Sequence, residues 1–256
     1  ETLKIEFRTP NSLKSNKKEY EYLKNLEADI AIVVAYGQII PKEFFNLTKK
    51  GFINIHASLL PKWRGAAPIQ RSIMNLEKET GISIMRIEEK LDTGPVCNSY
   101  KLEITDMDNA ETISEKLSFL ASQKIIDNID DILEDKIEFK EQKHIKATYA
   151  PKIEKIEGQI DWNETAESII GKINGLYRNP GAFFIYKGER YKILKAKLNS
   201  GIGVSGDVLN NYLEISCGNK KSIKVMEIQR QGKRPQNVSE FMLGSQIKKG
   251  SNLNNA

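Results

Sequence analysis

Two polar residues close the apolar run FINIH, and they hold the clearest chemistry in the sequence. Asn54 and His56 are two positions apart, which places their side chains on one side of a strand, about 7 Å apart. A histidine can give or take a proton near neutral pH, and an asparagine amide can donate to an oxyanion. Local hydrogen bonding at a strand end would use the same residues, so a structural role stays open for both.

Asp92, in the turn KLDTGP, is the third candidate for chemistry. An aspartate in a turn most often accepts hydrogen bonds from nearby backbone N–H groups. The functional alternative is a carboxylate that orients His56 or holds a water molecule and makes the imidazole more basic. The sequence alone does not decide between these two roles.

The loop after His56 combines apolar and basic residues in an unusual order. It runs SLLPKWRGAAPIQ, and a proline holds the residue before it extended. Leu59 and Leu60 are therefore expected to line a pocket rather than face water. Trp63 and Arg64 could stack on a planar ligand or pair with a phosphate, or they could form a packed aromatic and an exposed basic loop.

Alternating strands and helices are predicted to position these residues. Apolar runs at 29–36, 52–55, 82–87 and 96–104 indicate strands, and 109–134 indicates a long helix. This pattern predicts an α/β fold with a doubly wound, mostly parallel sheet. His56 would then lie at the carboxyl end of a parallel strand, the edge where such sheets bind ligands.

A polar stretch separates that region from a second pattern. We predict three parts: a catalytic domain at 1–138, a linker at 139–152, and a second domain at 153–256. The last part has a helix near 166–177 and short strands between Gly and Asn turns, a pattern typical of a small barrel or sandwich. The polar tail at 245–256 is predicted to be disordered.

Composition and charge exclude some classes of protein. The 256 residues are 39% hydrophobic and 29% charged, with no apolar run of about 18 residues, so a membrane span is not expected. Cys97 and Cys217 lie far apart without a metal-ligand spacing, which favours a reducing cytoplasm and no metal site. Residues 147–256 hold 17 Lys and Arg against 10 Asp and Glu. That excess indicates either ordinary surface charge or a polyanionic partner.

Several segments together resemble one enzyme family. The chain is similar to the methionyl-tRNA formyltransferases, a branch of the folate-dependent formyltransferases, in order along nearly its whole length. The matching segments are NIHASLLP at 54–61, WRGAAPIQ at 63–70, LDTG at 91–94, VAYGQIIP at 34–41, ATYAPKI at 147–153, IDW at 160–162 and NPGA at 179–182.

The resemblance implies a set of roles. Asn54, His56 and Asp92 would be the catalytic residues, and Ser58, Leu59, Leu60 and Pro61 would contact the folate. The formyl donor would be 10-formyltetrahydrofolate, with no metal. The acceptor would be the α-amino group of methionyl initiator tRNA, formylated for translation initiation. The second domain would be an OB-like barrel whose basic surface binds tRNA, and the protein would be a cytoplasmic monomer.

The sequence also departs from that family. It begins at Glu1, and the family's first β-α units have no counterpart in it, so we expect an N-terminally incomplete catalytic domain. Lys90 stands where the family usually has glycine. Two other functions stay open: formyl transfer to a small amine, and a catalytically incomplete remnant that binds RNA.

Overall fold

The sheet that carries the candidate site has the strand order β1-β2-β3-β4 in the computed structural model, which describes residues 5–254. Its strands are β1 (Ala31–Val33), β2 (Phe52–His56), β3 (Glu79–Arg86) and β4 (Val96–Glu103). The helices before and after β2 are α1 (Lys17–Asn25), α2 (Pro68–Met74) and α3 (Ala110–Leu133). An α/β fold is therefore confirmed.

The directions of the strands differ in part from the predicted doubly wound pattern. β1 and β2 are parallel, with Val33 opposite Asn54, although β1 is only half-buried and its Ile32 is exposed. β3 is antiparallel to β2, with Ser83 opposite His56. The helix between β2 and β3 is only seven residues long, and it packs on a later helix instead of forming a long crossover over the sheet. His56 still lies at the carboxyl end of a strand with a parallel neighbour.

The chain forms two compact units, and the first contains most of the sheet. As far as the structure describes it, this unit comprises residues 5–66, 81–101 and 118–149. Ile53, Ile84 and Ile132 form one buried cluster in it, and their exposed fraction is 0–1%. Since Ile53 lies on the strand face opposite to Asn54, the packing of isoleucines on one face leaves the other face to the polar residues.

The second unit comprises residues 67–80, 102–117 and 150–254 of the described chain. Its antiparallel sheet has the order β5-β6-β8-β7, with β9 paired to β8. The elements are α4 (Ala166–Gly175), β5 (Ala182–Tyr186), β6 (Glu189–Asn199), β7 (Glu214–Ser216), β8 (Ser222–Arg230), β9 (Gln236–Asn237) and α5 (Val238–Gly244). A second domain built of short strands is thus confirmed, its sheet is antiparallel, and the OB-like barrel stays a prediction.

Helix α2 packs closely against α4 within the second unit. A Cβ atom built at Gly175 would lie 2.6 Å from Met74 Cγ and 2.9 Å from the backbone oxygen of Gln70. Only glycine allows this approach, because real Cβ contacts are longer. The core of the unit forms around Trp162, which is 1% exposed.

The prediction of a disordered tail was wrong for the described part of it. Ile247 and Leu253 are 0% and 5% exposed, and the Val208 N–H donates to the Ser251 oxygen at 2.9 Å. Two apolar residues spaced within a polar segment were enough to anchor it in the core, and the polar composition hid them. No helix within residues 5–254 has the length and apolar character that crossing a membrane requires.

Candidate active site

The imidazole of His56 is held on both sides by loops of the first unit. The residue is 6% exposed, and its Nε2 lies 3.0 Å from the backbone oxygen of Trp63. A carbonyl oxygen only accepts, so Nε2 carries the proton of this hydrogen bond. Nδ1 is therefore the nitrogen with a lone pair in the neutral ring, and it lies 3.7 Å from Asp92 Oδ2.

Asp92 points away from its own turn and toward the loop after β2. Its Oδ2 accepts a hydrogen bond of 2.8 Å from the backbone N–H of Gly65, and its side chain is 10% exposed. Its backbone has φ +50°, a conformation that few residues other than glycine adopt. The carboxylate thus serves two partners, the Gly65 N–H and the His56 ring, which favours the orienting role over a purely local one.

Asn54 lies two residues before His56 on β2, opposite Met85 of β3. It is half-buried, and strand alternation places its side chain on the same side as that of His56. Within residues 5–254, the side-chain amide of Asn54 makes no hydrogen bond. Its N–H donors therefore remain available to a bound molecule beside the imidazole.

The SLLP loop packs through its own polar groups. Ser58 is 1% exposed, and its hydroxyl donates to the Lys62 oxygen at 2.6 Å. Ser83 supports the same loop, since its hydroxyl accepts from the Leu60 N–H at 3.0 Å and donates to the Ser58 oxygen at 2.8 Å. Leu59, Leu60 and Pro61 are half-buried, so the apolar part of the loop, rather than the Ser58 hydroxyl, is open to a ligand.

Arg64 is buried instead of exposed, which sets aside the picture of an exposed basic loop. It is 2% exposed, and its guanidinium donates to Gln142 Oε1 and to His144 Nδ1 at 3.0 Å. Its backbone N–H donates to the Thr148 oxygen at 2.9 Å. The neighbouring Trp63 N–H donates to Thr148 Oγ1 at 2.9 Å. The segment predicted to be a linker thus runs along the site loop.

Two residues of the arrangement gave no recognisable pattern in the sequence: Ser83 lies in an apolar strand, and Gln142 lies in a polar stretch that resembled a connector. Thr148 belongs to the matching segment ATYAPKI, which carried no role for it. The one available indication was register, because Ser83 is the residue opposite His56. Within residues 5–254, no group of three His, Cys, Asp or Glu side chains is placed to hold a metal ion.

Comparison with known proteins matches both halves of the chain to one family. The family model described as formyl transferase matches residues 3–129, and the one described as formyl transferase, C-terminal domain, matches residues 152–246. A methionyl-tRNA formyltransferase of Pelagibacter ubique is 72% identical over 255 residues, which are 100% of this chain and 82% of that relative.

Solved structures agree with this match. A methionyl-tRNA formyltransferase from Clostridium thermocellum is 27% identical, with a TM-score of 0.58 over 71% of this chain and 78% of its own. HypX from Aquifex aeolicus in complex with tetrahydrofolic acid is 16% identical and has a TM-score of 0.70. The match covers 93% of this chain and 43% of HypX, and it shows likeness of fold.

Proposed function

Since the chain belongs to the methionyl-tRNA formyltransferase family, we propose that it transfers a formyl group from 10-formyltetrahydrofolate to the α-amino group of methionyl initiator tRNA. The observation that carries this proposal for the chain's own residues lies at the end of β2. There the His56 ring faces Asp92, and the same strand carries Asn54, whose amide has no hydrogen-bond partner within residues 5–254. The identity to the Pelagibacter relative favours this acceptor over a small amine and an enzyme over an RNA-binding remnant.

The reaction needs one nucleophile, one oxyanion site and one proton path. The neutral amine attacks the formyl carbon, and the carbonyl oxygen becomes an oxyanion in the tetrahedral intermediate. The C–N10 bond then breaks, the attacking nitrogen loses a proton and N10 gains one. The products are formylmethionyl-tRNA and tetrahydrofolate, and no net proton is released.

His56 and Asp92 provide the proton path. Nε2 keeps its proton, which it donates to the Trp63 oxygen, so Nδ1 takes the proton from the attacking amine and returns it to N10. The Asp92 carboxylate, 3.7 Å from Nδ1, stabilises the imidazolium that exists between these two steps. That distance exceeds a direct hydrogen bond, so the Nδ1 lone pair is not held by the carboxylate and stays available to accept a proton.

Asn54 stabilises the oxyanion. Its amide faces the same side of β2 as the imidazole, and a single donor of this kind contributes about 3 kcal/mol to the stability of such intermediates. Since no protein group holds the amide among the described residues, it can turn to the formyl oxygen without breaking an existing bond.

The loop from Ser58 to Pro61 binds the folate in this proposal. The buried hydroxyl of Ser58 closes the loop onto Lys62, and the half-buried Leu59, Leu60 and Pro61 offer an apolar wall to the planar pterin. HypX, the structural relative above, was solved with tetrahydrofolic acid bound, which supports a folate site on this fold.

The basic second half, with its 17 Lys and Arg against 10 Asp and Glu over residues 147–256, binds the tRNA backbone. A cavity of about 400 Å³ on the second unit is lined by Tyr191, Phe241 and the cations Arg230, Lys233 and Arg234. Glu189 pairs with Arg230, which leaves the exposed Lys233 and Arg234 as the groups for phosphates.

We place the domains at 1–138 and 153–256, give the second the OB-like topology, and expect a cytoplasmic monomer.

Formylation assays test the function directly. The purified protein, given labelled 10-formyltetrahydrofolate, should transfer label to methionyl initiator tRNA and not to glycinamide ribonucleotide or an amino-sugar nucleotide. His56→Ala should lose turnover while still binding folate. Transfer of label to the small amines alone, or undiminished turnover of the His56 variant, would contradict the proposal.

A salt titration tests the tRNA surface. Replacing Lys233 and Arg234 with alanine should weaken tRNA binding and reduce the dependence of affinity on salt concentration, because each phosphate contact releases counterions. Lys18→Ala, on the exposed side of α1, is the control. An unchanged salt dependence in the double variant would place the tRNA elsewhere.

A further inference from the structure

The amide of Gln142 is fully hydrogen-bonded beside the site. It is 8% exposed, and its Nε2 donates to the backbone oxygens of Asp92 at 2.9 Å and Gly94 at 2.7 Å. Its Oε1 accepts from Arg64 Nε at 3.1 Å and Arg64 Nη2 at 2.6 Å. Both donors and the acceptor are used, so a rotated amide would set its oxygen against two carbonyls and its NH₂ against a guanidinium.

These bonds join the two loops that hold His56. Arg64 directly follows Trp63, whose oxygen binds Nε2 of the ring. Asp92 faces Nδ1 from the turn between β3 and β4. A direct bond, from the Gly65 N–H to Asp92 Oδ2, also links the loops, but it uses the carboxylate itself. Gln142 links the loops through the Arg64 guanidinium on one side and the backbone oxygens of Asp92 and Gly94 on the other. This link does not use the Asp92 carboxylate, which can still interact with the His56 ring.

We propose that Gln142 is a positioning residue for the formyl transfer, which sets the separation and angle between the Asp92 carboxylate and the His56 imidazole. The expected change in kcat rests on the proposed function, whereas the expected change in the orientation of the His56 ring does not. Arg64 is the other half of the same link, since its planar fork fixes the amide oxygen through two bonds. Neither residue touches the reacting atoms.

The competing role for Gln142 is structural, as an amide that satisfies a buried guanidinium. Gln142→Glu separates the two roles, because a carboxylate still accepts from Arg64 but cannot donate to the oxygens of Asp92 and Gly94. A small displacement of catalytic groups can cost about 10²-fold in rate. We therefore expect kcat to fall about 10²-fold in this variant, with the KM values for folate and tRNA near those of the unchanged protein.

A spectroscopic measurement follows the imidazole without any turnover. The chain has two histidines, His56 and His144, so ¹⁵N-histidine labelling gives two ring systems, which His56→Gln assigns. The hydrogen bond to the Trp63 oxygen holds the neutral His56 ring in the tautomer with the proton on Nε2. In Gln142→Glu we expect ¹⁵N signals from both tautomers, with the proton on Nε2 and on Nδ1. Gln123→Glu, on an exposed position of α3, is the matched control. If Gln142→Glu fails to fold, Gln142→Asn is measured in its place, since its shorter side chain cannot reach both loops.

The outcomes are distinct. A lowered kcat with a mixed His56 signal supports the proposal. A variant with reduced melting temperature but native kcat and a native Nε2–H signal overturns it and leaves Gln142 a structural residue. Absence of formyl transfer by the unchanged protein contradicts the proposed function instead, and the ¹⁵N signals then still decide whether Gln142 orients the ring.

Discussion

Removing the charge of Asp92 should slow formyl transfer without unfolding the protein. Asp92→Asn keeps an oxygen that can accept from the Gly65 N–H, the 2.8 Å bond that fixes this side chain. We therefore expect a loss in the free energy of unfolding of about 1 kcal/mol, the usual value of one hydrogen bond. The catalytic effect comes from the missing negative charge beside Nδ1 of His56.

The size of that effect follows from the 3.7 Å between Asp92 Oδ2 and His56 Nδ1. Two unit charges at this separation attract by about 4.5 kcal/mol at an effective dielectric constant of about 20, and by about 1 kcal/mol at the value of bulk water. Since the two side chains are only 10% and 7% exposed, the first value is closer. The expected fall in kcat is about 10²- to 10³-fold, at roughly 1.4 kcal/mol per tenfold.

Single-turnover formylation of methionyl initiator tRNA measures this step apart from product release. The folate KM should stay near that of the unchanged protein, because the stabilised imidazolium exists only after the amine has attacked. Asp106→Asn is the control, since the Asp106 side chain is fully exposed. A single-turnover rate equal to that of the unchanged protein would refute the role given to the Asp92 charge.

Three further predictions concern stability, folate binding and thiol chemistry. Burial alone would raise the pKa of Asp108, but the Lys116 ammonium and neighbouring threonine groups outweigh it and hold the pKa at about 2, below the ordinary value of 3.8. The carboxylate therefore stabilises the fold above about pH 4, and this contribution, about 2 kcal/mol, is lost as the pH falls toward 2; Asp108→Asn should lower the free energy of urea unfolding at pH 7 by that amount. Gly81→Ala should raise the KM for folate and destabilise the fold by about 1–3 kcal/mol, because the added Cβ would lie 2.6 Å from Leu59 Cδ2 and 2.1 Å from a backbone oxygen of β4. Burial raises the pKa of the Cys217 thiol to about 11, so iodoacetamide at pH 8 should leave it unmodified until the protein is unfolded, as mass spectrometry of the alkylated peptide would record.

Each of these predictions has a control in the chain. Asp106→Asn should leave the unfolding curves and their pH dependence unchanged. Gly37→Ala should be neutral, because nothing lies within 4 Å of its added Cβ. Equal losses in the two aspartate variants, or a native folate KM in Gly81→Ala, would contradict the first two predictions. Alkylation of Cys217 at the same rate in native and unfolded protein would contradict the third.

Features that depend on neighbouring residues could be predicted from the sequence. Features that depend on contacts between residues far apart in the sequence were predicted less well. Asn54 and His56 were found because strand alternation and the following loop are properties of neighbouring residues. The antiparallel direction of β3 was missed, since a strand's own pattern does not record the direction of its partner. Gln142 was missed because a glutamine in a polar stretch has no periodicity, and its burial arises only when residues 50 and 78 positions away enclose it. Whether Asn54, His56 and Asp92 act as assigned stays a prediction until the variants are measured.

The place of Gln142 and Thr148 along the chain bears on how such proteins can be recombined. The two family matches cover residues 3–129 and 152–246, so a crossover between relatives would naturally be made in the gap. A junction before residue 142 would join the site loops of one parent to the Gln142 and Thr148 positions of the other. Hybrids that cross over after Tyr149 keep the loops and both supporting residues from the same parent, and we expect these hybrids to retain native turnover.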